Sequence, residues 1–117
     1  MTGRAGRVGA LLQSLGAGDV QPLLAELDDN IVWRLPSLGL MARGRAAVAG
    51  QLEQPAGQVS ISRLVHVVEH GPFVVALYDV ESRLGGTIYQ GPGLTVLRYE
   101  NDKIVEGSFY RADQFPG

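Results

Sequence analysis

Apolar residues recur along this chain with two different periods. Near the start they fall at Val8, Leu11, Leu12 and Leu15, the spacing of one helix face, and this predicts a first helix. Gly16 and Gly18 punctuate its end. Asp19 stands at an N-cap position for a second helix through Leu23, Leu24 and Leu27. Pro22 fits its first turn, where backbone N–H groups lack helical partners. Asp28, Asp29 and Asn30 read as a turn and Ile31 to Leu35 as a short strand. Pro36 to Gly44 reads as a Gly- and Leu-containing loop placed to fold over a pocket mouth, and Arg45 to Gln54 as a third helix.

Beyond Pro55 the period changes. Runs rich in β-branched and aromatic residues predict strands at Val59 to Glu69, Phe73 to Ser82, Thr87 to Gln90, Leu94 to Tyr99 and Ile104 to Arg111. Breaks fall at His70 to Pro72, Arg83 to Gly86 and Gly91 to Gly93, and the last two strands form a hairpin around Glu100 to Lys103. Helices first and strands after argue a single α+β domain over residues 1–117. Side chains alternate across a strand, so the Phe73 strand carries Phe73, Val75, Leu77, Asp79 and Glu81 on one face. Val74, Ala76, Tyr78, Val80 and Ser82 lie on the other. Both faces are largely apolar, so one is expected to meet the helices and the other a partner or a second layer; this points to a homodimer, with cover of the outer face by the chain's own termini as the alternative.

Composition narrows the function classes. The chain has 117 residues, 45% of them hydrophobic, enough for one core. A net charge of −2 provides no broad basic surface, which argues against a nucleic-acid partner. There is no cysteine, so disulfides, thiol chemistry and zinc-thiolate sites are excluded. The apolar runs are too short to span a membrane, and no signal peptide stands out, so the expected location is cytoplasmic. His66 and His70 are the two histidines. Glu69 beside His70 points to the opposite strand face, and no metal site is expected.

Four segments in this order carry a resemblance: Leu15-Gly16-Ala17-Gly18-Asp19 between the first helices, Val32-Trp33-Arg34-Leu35-Pro36 on the first strand, Gly44-Arg45-Ala46-Ala47-Val48 opening the third helix, and Asn101-Asp102-Lys103-Ile104-Val105 in the last hairpin. The layout resembles the NTF2-like superfamily, closest to the SnoaL-like polyketide cyclases and limonene-epoxide hydrolases. The resemblance implies a cone-shaped fold in which a curved, mostly antiparallel sheet wraps about three helices around an apolar pocket. It also implies a homodimer.

Limonene-epoxide hydrolases use two Asp residues and an Arg, with a Tyr and an Asn that hold water. In that register Asp79 matches the first Asp, while Leu77 stands at the Arg and Phe109 at the second Asp. Val32 and Arg34 stand where the Tyr and Asn fall. Ketosteroid isomerases of the superfamily place acids near Arg34 and Thr95, and neither acid is present.

The resemblance thus leaves Asp79 as the candidate general acid or base. On a pocket-lining face it would be partly desolvated, which raises a carboxyl pKa and suits proton transfer. The competing expectation is a solvated ion pair with Arg63 or Arg83. Trp33, Phe73, Leu77, Tyr78, Tyr89 and Phe109 are the expected pocket wall. The expected activity is cofactor-independent isomerisation, cyclisation or epoxide opening of a small hydrophobic molecule. The alternative is a non-catalytic ligand-binding or dimerisation module of the same fold.

Overall fold

The computed structural model describes residues 3–35, 39–52, 59–84 and 87–111. Two helices, α1 (Arg4–Gly16) and α2 (Gln21–Glu26), precede strands β1 (Leu27–Leu35) and β2 (Leu40–Arg43). Helix α3 (Arg45–Leu52) follows, then β3 (Val59–His70), β4 (Phe73–Leu84), β5 (Thr87–Glu100) and β6 (Lys103–Arg111). The six strands form one curved sheet in the order β2-β1-β6-β5-β4-β3. All neighbours are antiparallel except β1 and β6. This is the α+β architecture expected of the NTF2-like fold.

The helices form where the periodicity places them. Val8, Leu11, Leu12 and Leu15 of α1 are buried, and α1 packs on β3 and β4. Val20 takes the N-cap position of α2, while the Asp19 carboxylate accepts the Gln21 N–H at 3.2 Å. The segment read as a turn at Asp28 to Asn30 instead extends β1, whose Ile31 and Trp33 are buried. Four residues of the expected loop, Leu40 to Arg43, pair with β1 as β2. Residues 36–38 of that loop lie outside the described residues.

The largest difference is β5. Gly91-Pro92-Gly93 does not break it: the strand runs on, with Gly91, Pro92 and Gly93 opposite Val80, Asp79 and Tyr78. These glycines remove bulk instead of ending pairing. A Cβ at Gly93 would lie 2.6 Å from a Tyr78 ring carbon. A Cβ at Gly107 would lie 2.4 Å from the Trp33 ring, its neighbour across β1 and β6. Each aromatic ring lies across a glycine on the inner face of the sheet.

The β5–β6 hairpin closes through Asn101 and Asp102, both at positive φ (52° and 63°). This is the type I′ arrangement, which matches the sheet twist and which Asn and Asp tolerate better than most side chains. Nearby, Arg4 stacks 5.0 Å from the centre of the buried Tyr99 ring, and Arg7 pairs with Glu26 at 3.2 Å. The Glu69 carboxylate accepts the Ala5 N–H at 3.3 Å, placing negative charge at the start of α1, where the helix dipole favours it.

Gly107→Ala is expected to lower stability by roughly 1–3 kcal/mol, the range for forcing atoms into a packed core. Urea unfolding followed by circular dichroism measures it; an unchanged midpoint would mean that Trp33 does not sit against β6 as described.

Candidate functional site

Alternation on the central strands sets which residues meet inside the sheet. The inner face of β4 carries Val74, Ala76, Tyr78 and Val80, all buried. Across β5 it continues with Gly93, Thr95, Leu97 and Tyr99, and across β6 with Gly107 and Phe109. β1 adds Ile31 and Trp33.

Toward one end of this face three aromatic rings form an arc. Trp33 and Phe109 have centroids 5.3 Å apart and planes at 57°, and Phe109 meets Tyr78 edge-on at 6.2 Å. Such tilted contacts suit the ring quadrupoles. Tyr78 reaches across Gly93, and its hydroxyl is hydrogen-bonded to that of Thr95. Thr95 is the only buried polar or charged residue among those described. Burial pushes the Tyr78 phenol well above its ordinary range, partly offset by the Thr95 hydrogen bond. At neutral pH the Tyr78 phenol keeps its proton, and either hydroxyl of the pair can donate to the other.

Four buried side-chain polar atoms among the described residues have no hydrogen-bond partner: Glu26 Oε1, which is in the ion pair with Arg7, Trp33 Nε1, Gln51 Oε1 on α3, and the Tyr99 hydroxyl at the far end of β5. Burial pushes the Tyr99 phenol up to about 12, with the Glu26 charge adding to the rise.

Three expected pocket residues, Trp33, Tyr78 and Phe109, are thus brought together. The remainder of the expected site is not. Phe73, Leu77 and Asp79 were expected on a pocket-lining face of β4, and the register places them on the outer face. Phe73 is 41% exposed and Leu77 38%. Asp79 lies beside them with its Oδ2 accepting from Arg63 Nε at 3.1 Å, the ion pair that was the competing expectation. The backbone of Tyr89 lies in β5, and its side chain is outside the described residues.

Physical signals for the right face exist in the sequence. Asp79 and Glu81 share one parity on β4, and two acids on one face mark it as the solvated one. Thr95, Gly93 and Gly107 were not singled out as site residues, because a small residue reveals its role only once the ring opposite it is known.

The outer face divides in two. Over β3 and β4 the large apolar side chains Val65, Val68, Phe73 and Leu77 are exposed, with His66 paired in register with Leu77, beside the Arg63–Asp79 ion pair. Over β1, β6 and β5 it is an ion network. Glu106 accepts from Arg34 Nη1 at 3.0 Å and from Arg98 Nε at 2.7 Å, and Arg98 also reaches Glu100 at 2.9 Å. The Arg34 and Arg98 hydrogen bonds hold the Glu106 carboxyl below the ordinary carboxylate range. No group of three His, Asp or Glu side chains able to hold a metal ion occurs among the described residues. None of the described helices is long and apolar enough to cross a membrane.

A family model described as SnoaL-like domain matches residues 8–107. Among curated proteins no relative matches. Among solved structures, a Xanthomonas campestris protein of unknown function with a cystatin-like fold superposes with a TM-score of 0.80 at 23% identity, over 97% of this chain and 93% of its own. A protein from Xanthomonas campestris pv. campestris proposed to be a polyketide cyclase gives 0.76 at 24% identity, over 93% and 90%. A Catenulispora acidiphila protein with a ketosteroid isomerase-like fold, in complex with trimethylamine, gives 0.75 at 16% identity, over 90% and 84%. At these identities the likeness is one of fold.

Tyr78→Phe is expected to destabilise by roughly 1–3 kcal/mol, because it leaves the buried Thr95 hydroxyl without its partner. Thr95→Val added to it is expected to recover part of that loss. A double-mutant cycle by thermal unfolding checks this; strictly additive losses would show that the two hydroxyls do not interact.

Proposed function

The chain belongs to the SnoaL-like domain family, and we propose that it binds a small, largely apolar molecule against the inner face of its sheet, where Trp33, Phe109 and Tyr78 meet. The observation that carries this reading is the aromatic arc with one hydroxyl pair and no charged residue among the described buried ones. Such a lining gains free energy by taking apolar ligand surface out of water, about 25 cal/mol per Å². A few fixed polar groups then orient the ligand. With its phenol kept neutral, Tyr78 serves as a donor and does not remove protons at neutral pH.

A second reading is cofactor-independent isomerisation, cyclisation or epoxide opening. It is favoured by the neighbours proposed as a polyketide cyclase and described as ketosteroid isomerase-like. In it the Tyr78 and Thr95 hydroxyls polarise a substrate oxygen. Asp79, as general acid or base, has to act from the outer face, where it is paired with Arg63. That position supports the binding reading over the catalytic one.

Trp33 is the single tryptophan, so tryptophan emission, excited selectively over the four tyrosines, reports this site alone. Titration with neutral alicyclic ketones and epoxides is expected to change that emission saturably. Asp79→Asn is expected to leave both the binding and any turnover of these compounds within about twofold. Absence of saturable change with every compound would overturn the binding reading. Loss of turnover in Asp79→Asn, with binding kept, would establish the catalytic one.

We also propose that two copies pair through the outer face over β3 and β4, covering Val65, Val68, Phe73 and Leu77. A patch of large apolar side chains on one face is what an interface covers. Leu77→Lys is expected to halve the mass measured by light scattering after gel filtration. A wild-type chain that runs as a monomer would rule out this pairing.

A further inference from the structure

Trp33 is fully buried, with no exposed surface, yet its indole N–H meets no acceptor among the described residues. Buried indole N–H groups usually find a partner, because leaving one unmet costs the desolvation of the group with nothing in return. The ring's position is fixed from its other side. Its Cε3 and Cζ3 edge lies against Gly107, and Phe109 tilts against its face. In an indole, Nε1 lies on the edge away from Cε3, so the N–H is turned away from β6 by the same contact that fixes the ring. The ring therefore has little freedom to swing and satisfy its donor elsewhere.

The surroundings restrict what the missing partner is. Phe109 is apolar, and neither hydroxyl of the Tyr78–Thr95 pair is within hydrogen-bond reach of Nε1. The described charged groups nearest in register belong to the outer face: Arg34, Arg98 and Glu106 bind one another, and Asp79 binds Arg63. An ionised ligand on the inner face would lose its hydration without a described countercharge, which is costly. A pure hydrocarbon would leave the indole donor unmet.

Resting on the binding reading above, we propose that the ligand is a neutral molecule bearing a carbonyl-type acceptor oxygen, and that Trp33 Nε1–H is the donor that anchors it. The aromatic arc supplies the apolar contact and the indole sets the direction in which the oxygen points. Trp33 then acts as a specificity-determining residue, selecting an oxygenated ligand over its hydrocarbon equivalent.

Three probes of one shape separate the possibilities: cyclohexyl methyl ketone, its hydrocarbon isostere isopropenylcyclohexane, and cyclohexanecarboxylate. The single tryptophan gives one indole N–H signal in a nitrogen-15 correlation spectrum, and this is the direct readout. The ketone is expected to bind tightest and to move the indole proton downfield, with the other two producing no downfield shift. Calorimetry with Trp33→Phe is expected to show the ketone weakened roughly two- to tenfold, the worth of one neutral hydrogen bond, with the hydrocarbon unchanged. Equal binding of ketone and hydrocarbon, with the indole signal unmoved, would overturn the carbonyl anchor and leave the binding reading standing. Tightest binding by the carboxylate would also overturn it, in favour of a charged ligand. Saturable binding by none of the three, in either the spectrum or the calorimeter, would sink the binding reading and this proposal together.

Discussion

The inner face depends on how closely two aromatic rings approach the backbone of the sheet. Trp33 lies across Gly107 and Tyr78 across Gly93, and in both cases a single added carbon would collide with the ring. With the rings held low, Phe109 fits between them, and the Tyr78 hydroxyl reaches Thr95. Interiors are packed like crystals, so the placement of these rings sets the placement of what lies above them. The glycines give up side-chain contacts of their own, and the rings take their place.

Most of the architecture was legible because it rests on periodicity. The α1 stripe of Val8, Leu11, Leu12 and Leu15 is the buried stripe, and the hairpin at Asn101 and Asp102 closes where turn chemistry puts it. The continuation of β5 through Gly91-Pro92-Gly93 was not legible in this way, since glycine and proline signal a break when read locally. Whether a strand continues depends on pairing with β4, and on the Tyr78 ring that fills the space over Gly93. Leu40 to Arg43 were hidden for a related reason: a four-residue edge strand has too short a pattern to stand out.

Burial on the candidate strands was half legible. Trp33, Tyr78 and Phe109 were legible as buried residues because large aromatic side chains on strands are usually buried. Asp79 was expected on a pocket-lining face and lies on the outer one, because both faces of β4 are apolar over much of its length and a shift of one residue exchanges them. The acids at positions 79 and 81 carry the information that settles parity. Thr95 matters through a partner seventeen residues away, which only the β4–β5 register reveals.

The parallel pairing joins β1 to β6, the first and last of the described strands. Gly107, against which Trp33 rests, is therefore translated long after the tryptophan itself. Until it is, the indole has no surface to lie on and the aromatic arc has no middle member. Contacts this distant in sequence close slowly, since the intervening chain must first be gathered in. A nascent chain that has synthesised only its helices and β1 thus exposes its largest apolar side chain to water, and during that interval the half-made protein is most open to chaperones or to aggregation.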